Sequence, residues 1–448
     1  MTTSMSPTRA CLMLGLVFLG LMLLSAAESG GLQATMLSLV FSPGDEPAQL
    51  LLHYSWWPRL LVALLAGGAL ALAGVLMQHV LRNPLAAPTT LGVAAGANLS
   101  LVAVTLMAPS LLLLGREWVA LAGGALAMGL VFWLAWRREL APVVVVLGGL
   151  VVNLYFGALS FVLLLFHQEE LKGLLVWGAG SLAQNSWDGV AFLLPRLIVG
   201  VLAAVLLLRP LAVLELDDAS ARSLGVPLGL LRLAGLGLAV FLTACVVSSV
   251  GIISFVGLIA PNIVRLAGAR RLGQRLLWST VFGALLLATA DLLLQYFSAA
   301  LPTLLPTGAA ISLLGAPLLM WLIPRLGVDA HPLARPAVSG HPGGGRPVAA
   351  SLIGTLTGLL VLSVGLALFL GQDANGWYWL SPERWAVLEW RAPRLLAAAG
   401  SGVMLAIAGT VLQRVSSNPM ASPEVLGVSG GCAIAFIGAI YLLSEPSN

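Results

Sequence analysis

The chain has 448 residues, 59% of them hydrophobic and 9% charged, with a mean hydropathy of +1.00. A water-soluble domain of that length needs far more charge to cover its surface, and continuous apolar runs of about 20 residues do not fit the short alternating segments of a transmembrane barrel. The net charge of +4 comes from arginines spread along the chain, with no basic block, so it points to membrane orientation and not to a nucleic-acid partner.

Taken in chain order, hydropathy predicts spans at Ala10–Ala27, Leu60–Leu81, Leu91–Leu113, Trp118–Trp136, Val143–Phe166, Val190–Leu208 and Leu233–Val250. A short eighth span at Pro261–Ala267 follows the Gly-rich stretch Gly251–Ala260, and the ninth and tenth are Leu276–Phe297 and Ala309–Ile323. A loop rich in Pro, Gly and Arg comes next, then spans at Val348–Leu370, Leu395–Val415 and Leu426–Leu443. The expected fold is therefore all-α, a polytopic transmembrane bundle, because the bilayer core offers no partner to an unpaired backbone group. Arg9, the apolar run to Leu24 and Ser25-Ala26-Ala27 also fit a cleavable signal peptide. An equivalent span in mid-chain favours a retained helix.

With the N-terminus in the cytoplasm, 15 of the 22 basic residues fall on inside loops and 7 outside, the direction of the positive-inside rule. The inside set includes Arg82, Arg222, Arg265 and Arg275; the outside set includes Arg59, Lys172, Arg391 and Arg394.

The chain repeats itself with a period of 335. Without a gap, Pro58–Gly96 aligns on residues 393–431 with 20 of 39 positions identical, including Gln78 on Gln413 and Asn83-Pro84 on Asn418-Pro419. Chance likeness between apolar helices matches Leu and Ala, not Gln, Asn-Pro and Gly in register. Ten spans before the second copy give both copies one orientation, a parallel duplication. The expected organisation is a complete first repeat at 1–325, a linker at 326–347 and a partial second repeat of about three spans at 348–448. The second copy stops early, so the sequence reads as incomplete at its C-terminus and is expected not to transport alone.

The turn after the second span carries Asn83, Pro84, Pro88 and Gly92, matched by Asn418, Pro419, Pro423 and Gly427. The prolines stop the helix, Asn bridges freed backbone groups, and the glycines allow close helix packing. Between the sixth and seventh spans lies a polar loop holding Asp217, Asp218, Ala219, Arg222, Leu224 and Gly225. An Asp can cap a short helix there and Gly225 can end it, giving either a plain surface loop or a docking element. Asp291 is the clearest acid inside a span, either a functional carboxylate or a structural acid satisfied by Thr289 or backbone carbonyls. No catalytic residues stand out and no metal ligands have binding spacing among the His and Cys residues. The sole lysine, Lys172, follows no phosphate-binding loop, so the chain is no ATPase and no enzyme.

Several of these stretches together, Pro58–Gly96, Asp217–Pro227, Gly251–Pro261 and Gly315-Ala316-Pro317, resemble the permeases of iron-siderophore and cobalamin importers, the FecCD type. The tandem arrangement resembles the fused ferric-hydroxamate permeases of that family. The resemblance implies about ten helices per half around a central pathway in the bacterial inner membrane. It implies two copies of a cytoplasmic ABC ATPase, carrying ATP and magnesium, docked on the Asp217–Gly225 loop. The permease itself binds no cofactor. A periplasmic siderophore-binding protein is expected at Arg59, Arg391 and Arg394, with Trp56 standing where the second half has Arg391. Trp177, Gly178 and Ser181 resemble an outer gate. The expected cargo is a ferric siderophore, with cobalamin or haem as the alternative within the family and an ion-coupled secondary transporter as the alternative outside it.

Overall fold

A computed structural model of the chain describes residues 6–28, 46–216, 218–223, 225–298, 306–322, 325, 346–373, 376–415 and 435. The chain divides into two compact units, Met1–Gly327 and Val328–Asn448. In the first, α1 spans Pro7–Glu28, α2 Pro47–Val80, α3 Val93–Met107, α4 Arg116–Trp136, α5 Pro142–Phe166 and α6 Gln168–Gly178. Then come α7 at Asp188–Ala212, α8 at Asp218–Ser223, α9 at Leu228–Val250, α10 at Val256–Leu266, α11 at Leu272–Ser298 and α12 at Thr307–Leu322. Among the described residues of the whole chain, nine helices are long and apolar enough to cross a membrane.

α2 is the axis of the first unit. Its most apolar stretch is 83% buried, against 17% for that of α5 and 22% for that of α7, which turn apolar faces outward as lipid-facing helices do. α9 and α11 pack along α2, and its small residues make close approach possible. A Cβ at Gly67 would collide with the carbonyl oxygen of Gly283 on α11, and one at Gly74 would land on the carbonyl oxygen of Gly257 on α10. Without a hydrophobic drive between helices in lipid, such backbone-to-backbone packing is what holds them.

Two local expectations need correction. The eighth span does not start at Pro261: α10 begins at Val256 and carries Pro261 inside it. Proline removes the hydrogen bond to the carbonyl four residues earlier, that of Gly257, and this is the carbonyl pressed against Gly74. The third span stops at Met107, because Pro109 opens a 3-10 segment, Pro109–Leu114. The stretch after His167, between two predicted spans, forms α6, which buries Leu171 and Leu174.

In the second unit, α13 spans Arg346–Phe369 and α14 spans Leu388–Val415. Between them an antiparallel hairpin pairs β1, Leu370–Asp373, with β2, Gly376–Trp379, in the register Leu370↔Trp379 to Asp373↔Gly376. Hydropathy alone put Leu370 at the end of a span and left the hairpin unread. The predicted span at Leu426–Leu443, residue 435 apart, lies outside the described residues, as do Asn418, Pro419, Pro423 and Gly427. Hairpin apart, the chain is an all-helical, multi-pass membrane protein.

Candidate functional site

The loop after α7 is built by charge. A 3-10 turn, Val213–Glu215, leads to α8, whose first residue, Asp218, lies between two arginines, one in the turn after α2 and one on α9. Arg232 Nη2 donates to Asp218 Oδ2 at 2.7 Å, and Arg82 Nη2 lies 3.0 Å from Asp218 Oδ1. The second contact is an ion pair without hydrogen-bond alignment, because Arg82 donates to the carbonyls of Leu214 at 3.1 Å and Leu216 at 2.5 Å. Arg232 also donates to the Glu139 carbonyl at 3.2 Å, while Arg222 pairs with the Glu139 carboxylate at 2.7 Å. Partial burial works to raise the Asp218 carboxyl, but the hydrogen bond from Arg232 and the charges of Arg232, Arg82 and Arg222 outweigh it and hold it below the usual carboxylate value.

Asp218 is therefore spent on guanidiniums. Gly225, at φ 75°, ends the turn with its N–H on the Arg222 carbonyl at 2.9 Å, the left-handed stop expected of glycine. Asp217 and Leu224 lie outside the described residues, and Ala219 is described only in its backbone, as part of α8.

The Asn83-Pro84 turn sits beside this loop. Asn83 Oδ1 accepts from the Leu85 N–H at 2.9 Å. The turn is also held from across the bundle: Asn262 Nδ2 on α10 donates to the Pro84 carbonyl at 2.7 Å and to the Leu258 carbonyl at 2.8 Å. Asn262 is fully buried. It was missed in the sequence, where its only signal was a polar residue directly after Pro261. Pro88 opens a 3-10 turn, Pro88–Leu91, and Gly92 at φ 82° starts α3 against Gly149 and Val152 of α5.

At the other end of α2, Arg59 grips Asp291 of α11 with both arms, Nε to Oδ2 at 2.7 Å and Nη2 to Oδ1 at 2.8 Å. Gln295 Nε2 and Thr307 Oγ1 donate to the same carboxylate at 2.7 and 2.9 Å. The acid is thus satisfied by Arg59 and not by Thr289, whose hydroxyl is buried without a partner. Arg59, read from the resemblance as an outward docking charge, has two of its nitrogens committed inward. Trp56 donates to Ser25 Oγ at 3.0 Å and stacks edge-on against Trp57. In the second unit, Arg391 Nη1 donates to the carbonyls of Leu368 and Leu370, each at 2.9 Å, tying the start of α14 to the end of α13. Arg394 is exposed.

Trp177 and Gly178 end α6, and Ser181 lies in the non-helical stretch that leads to α7. The Ser181 N–H donates to the Val250 carbonyl and the Gly308 N–H to the Gly180 carbonyl, both at 2.9 Å. A Cβ at Gly251 would strike the Trp177 carbonyl oxygen, so three segments meet here backbone on backbone. Irregular backbone inside a membrane protein survives only where protein buries and satisfies it, and this junction does both. Among the described residues no three His, Cys, Asp or Glu side chains are grouped to hold a metal.

Comparison with known proteins places this geometry. The sequence model of the FecCD transport family matches residues 12–325 and 348–448. The chain is 44% identical to the iron(3+)-hydroxamate import system permease protein FhuB of Salmonella typhimurium over 416 residues, 91% of this chain and 59% of that protein. The FhuB protein of Escherichia coli is 44% identical over 411 residues, 90% of this chain and 60% of its own length. This chain therefore spans about three-fifths of the length of these two relatives. The Fe(3+) dicitrate transport system permease protein FecD of Escherichia coli is 37% identical over 283 residues, 87% of its length. A solved structure described as a metal-chelate type ABC transporter in an inward-facing conformation superposes with a TM-score of 0.59 at 25% identity, covering 71% of this chain and 99% of that one. The chain belongs to the FecCD transport family.

Proposed function

We propose that this chain is permease for an ATP-driven importer of iron(III)–hydroxamate siderophores or related iron chelates, moving them from periplasm to cytoplasm. The observation that carries the reading is the 44% identity, along nine-tenths of the chain, to permeases named for that import. The N-terminus and the Asp218 loop face the cytoplasm, the orientation favoured by 15 basic residues against 7. Two ATPase subunits carry the ATP and magnesium and press on the loop from Asp218 to Gly225; the permease binds no cofactor. A periplasmic binding protein delivers the chelate at the end that holds Arg59, with Arg391 and Arg394 as further contacts. The 335-residue period points to a parallel duplication, 1–325 and 348–448 about a linker at 326–347, of the kind that carries a transport route. Trp177, Gly178 and Ser181 lie at its outer gate.

The pairing of Asp291 with Arg59 speaks against an ion-coupled mechanism, which needs an intramembrane acid free to bind its ion. The test is uptake of a radiolabelled ferric hydroxamate in cells lacking their own permease, with the chain co-expressed with an ATPase and a binding protein. Uptake should stop on ATP depletion and persist with a protonophore. Uptake that survives ATP depletion and collapses with the protonophore overturns the proposal.

A further inference from the structure

At the Arg-rich end of the first unit a cleft of about 270 Å³ opens between helix ends. Its walls include His79 at the end of α2, Arg82 just beyond, Glu215 from the 3-10 turn after α7, Arg265 in the last turn of α10 and Arg275 in the first turn of α11. Three helix ends thus deliver basic groups to one space, and the 3-10 turn after α7 adds one acid. The charges do not cancel. Among the lining residues three arginines, Arg82, Arg265 and Arg275, stand against one carboxylate, Glu215, and Arg82 also serves Asp218 and two carbonyls. Arg275 Nε is buried with no hydrogen-bond partner. Gln78, also on the wall and 4% exposed, has a side-chain oxygen without a partner. A buried N–H with no acceptor costs stability unless something fills it. The volume far exceeds the roughly 30 Å³ share of one water. Wall residues lie at the ends of α2 and α11, two helices long and apolar enough to cross a membrane.

We infer that this cleft is a binding site for a phosphate group, presented by an anionic phospholipid headgroup or as free phosphate. Guanidinium forks match the oxygens of a phosphate, and basic pockets between membrane helices at the bilayer surface hold anionic headgroups in that way. The ligand completes the hydrogen bonding of Arg275 and neutralises the excess charge beside the Asp218 loop. The site is independent of the cargo.

The test uses the full 448-residue chain, purified in detergent and stripped of lipid. Phosphatidylglycerol, phosphatidylcholine and inorganic phosphate are titrated separately and binding is read by native mass spectrometry and calorimetry. Wild type should bind phosphatidylglycerol or inorganic phosphate at one site per chain, well above phosphatidylcholine. Arg275→Gln should weaken that binding roughly tenfold or more, the loss expected of one charge-assisted hydrogen bond. Arg275→Lys, which keeps the charge without the fork, should fall between. Arg209→Gln, at an exposed arginine of α7 outside the cleft, should bind as wild type does. Strong binding of phosphatidylglycerol alone identifies a headgroup site; binding of both identifies a general phosphate site. The inference is overturned if correctly folded Arg275→Gln and Arg275→Lys bind all three probes as wild type does, or if Arg209→Gln loses as much. It is equally overturned if no probe binds and the Arg275 variants instead lose a partner ATPase.

Discussion

Replacing Arg59 by leucine leaves Asp291 buried, with 2% of its side chain exposed and only Gln295 and Thr307 to answer it. Removing one partner of a buried pair costs about 3–5 kcal/mol, whereas replacing both partners by apolar residues is often near neutral. The double variant, Arg59→Leu with Asp291→Leu, also strands the Gln295 and Thr307 donors, a cost of about 1 kcal/mol each. It should therefore recover roughly 1–3 kcal/mol relative to Arg59→Leu alone. At about 2 °C per kcal/mol for a unit of this size, the single variant should melt roughly 6–10 °C below wild type and the double variant several degrees above the single. Thermal unfolding in one fixed detergent, followed by tryptophan fluorescence, measures all four corners of the cycle. If Arg59→Leu melts with wild type, or the two substitutions simply add, the pair is not coupled and the network described here does not hold the bundle.

Gly74→Ala and Gly225→Ala should separate two roles of glycine. The first drives a methyl into the Gly257 carbonyl, an overpacking cost of about 1–3 kcal/mol or more, visible as a lower yield of folded protein. The second meets open space and costs only the left-handed backbone, about 1–2 kcal/mol, with packing intact. Asn262→Ala removes both hydrogen bonds that hold Pro84 and Leu258, a loss of about 1–3 kcal/mol. Faster amide exchange at Leu85 and Ala86 is the readout. The folded Asp218 carboxyl is more acidic than its unfolded form, so its contribution is complete above the usual carboxylate value and is lost as pH falls through the depressed one. Wild type should exceed Asp218→Asn in melting temperature near neutrality and converge with it in acid; solvent keeps the gap small, since the Asp218 side chain is 37% exposed.

Most helices were legible because a run of about 20 apolar residues in a membrane protein has one stable form. What hydropathy missed carries little of that signal. α6 is short and polar on one side, the hairpin at Leu370–Trp379 sits at the end of a span, and Pro261 looked like a helix start when it interrupts one. The turn at Asn83-Pro84 was legible as a turn, but its support from Asn262 was not, because nothing local marks a partner 178 residues away. Asp291 and Arg59 were each noticed, but their pairing was not, because a pair 232 residues apart leaves no periodicity to find.

The Asp218 clamp has a mechanical consequence. A six-residue helix on a slack tether would dissipate any load placed on it. Here Asp218 is fastened to Arg82, beyond the central helix, and to Arg232, inside α9, while Arg222 is braced on Glu139 after α4. A force at this one short segment is shared at once among three membrane helices, so the segment acts as a stiff lever and not as a hinge.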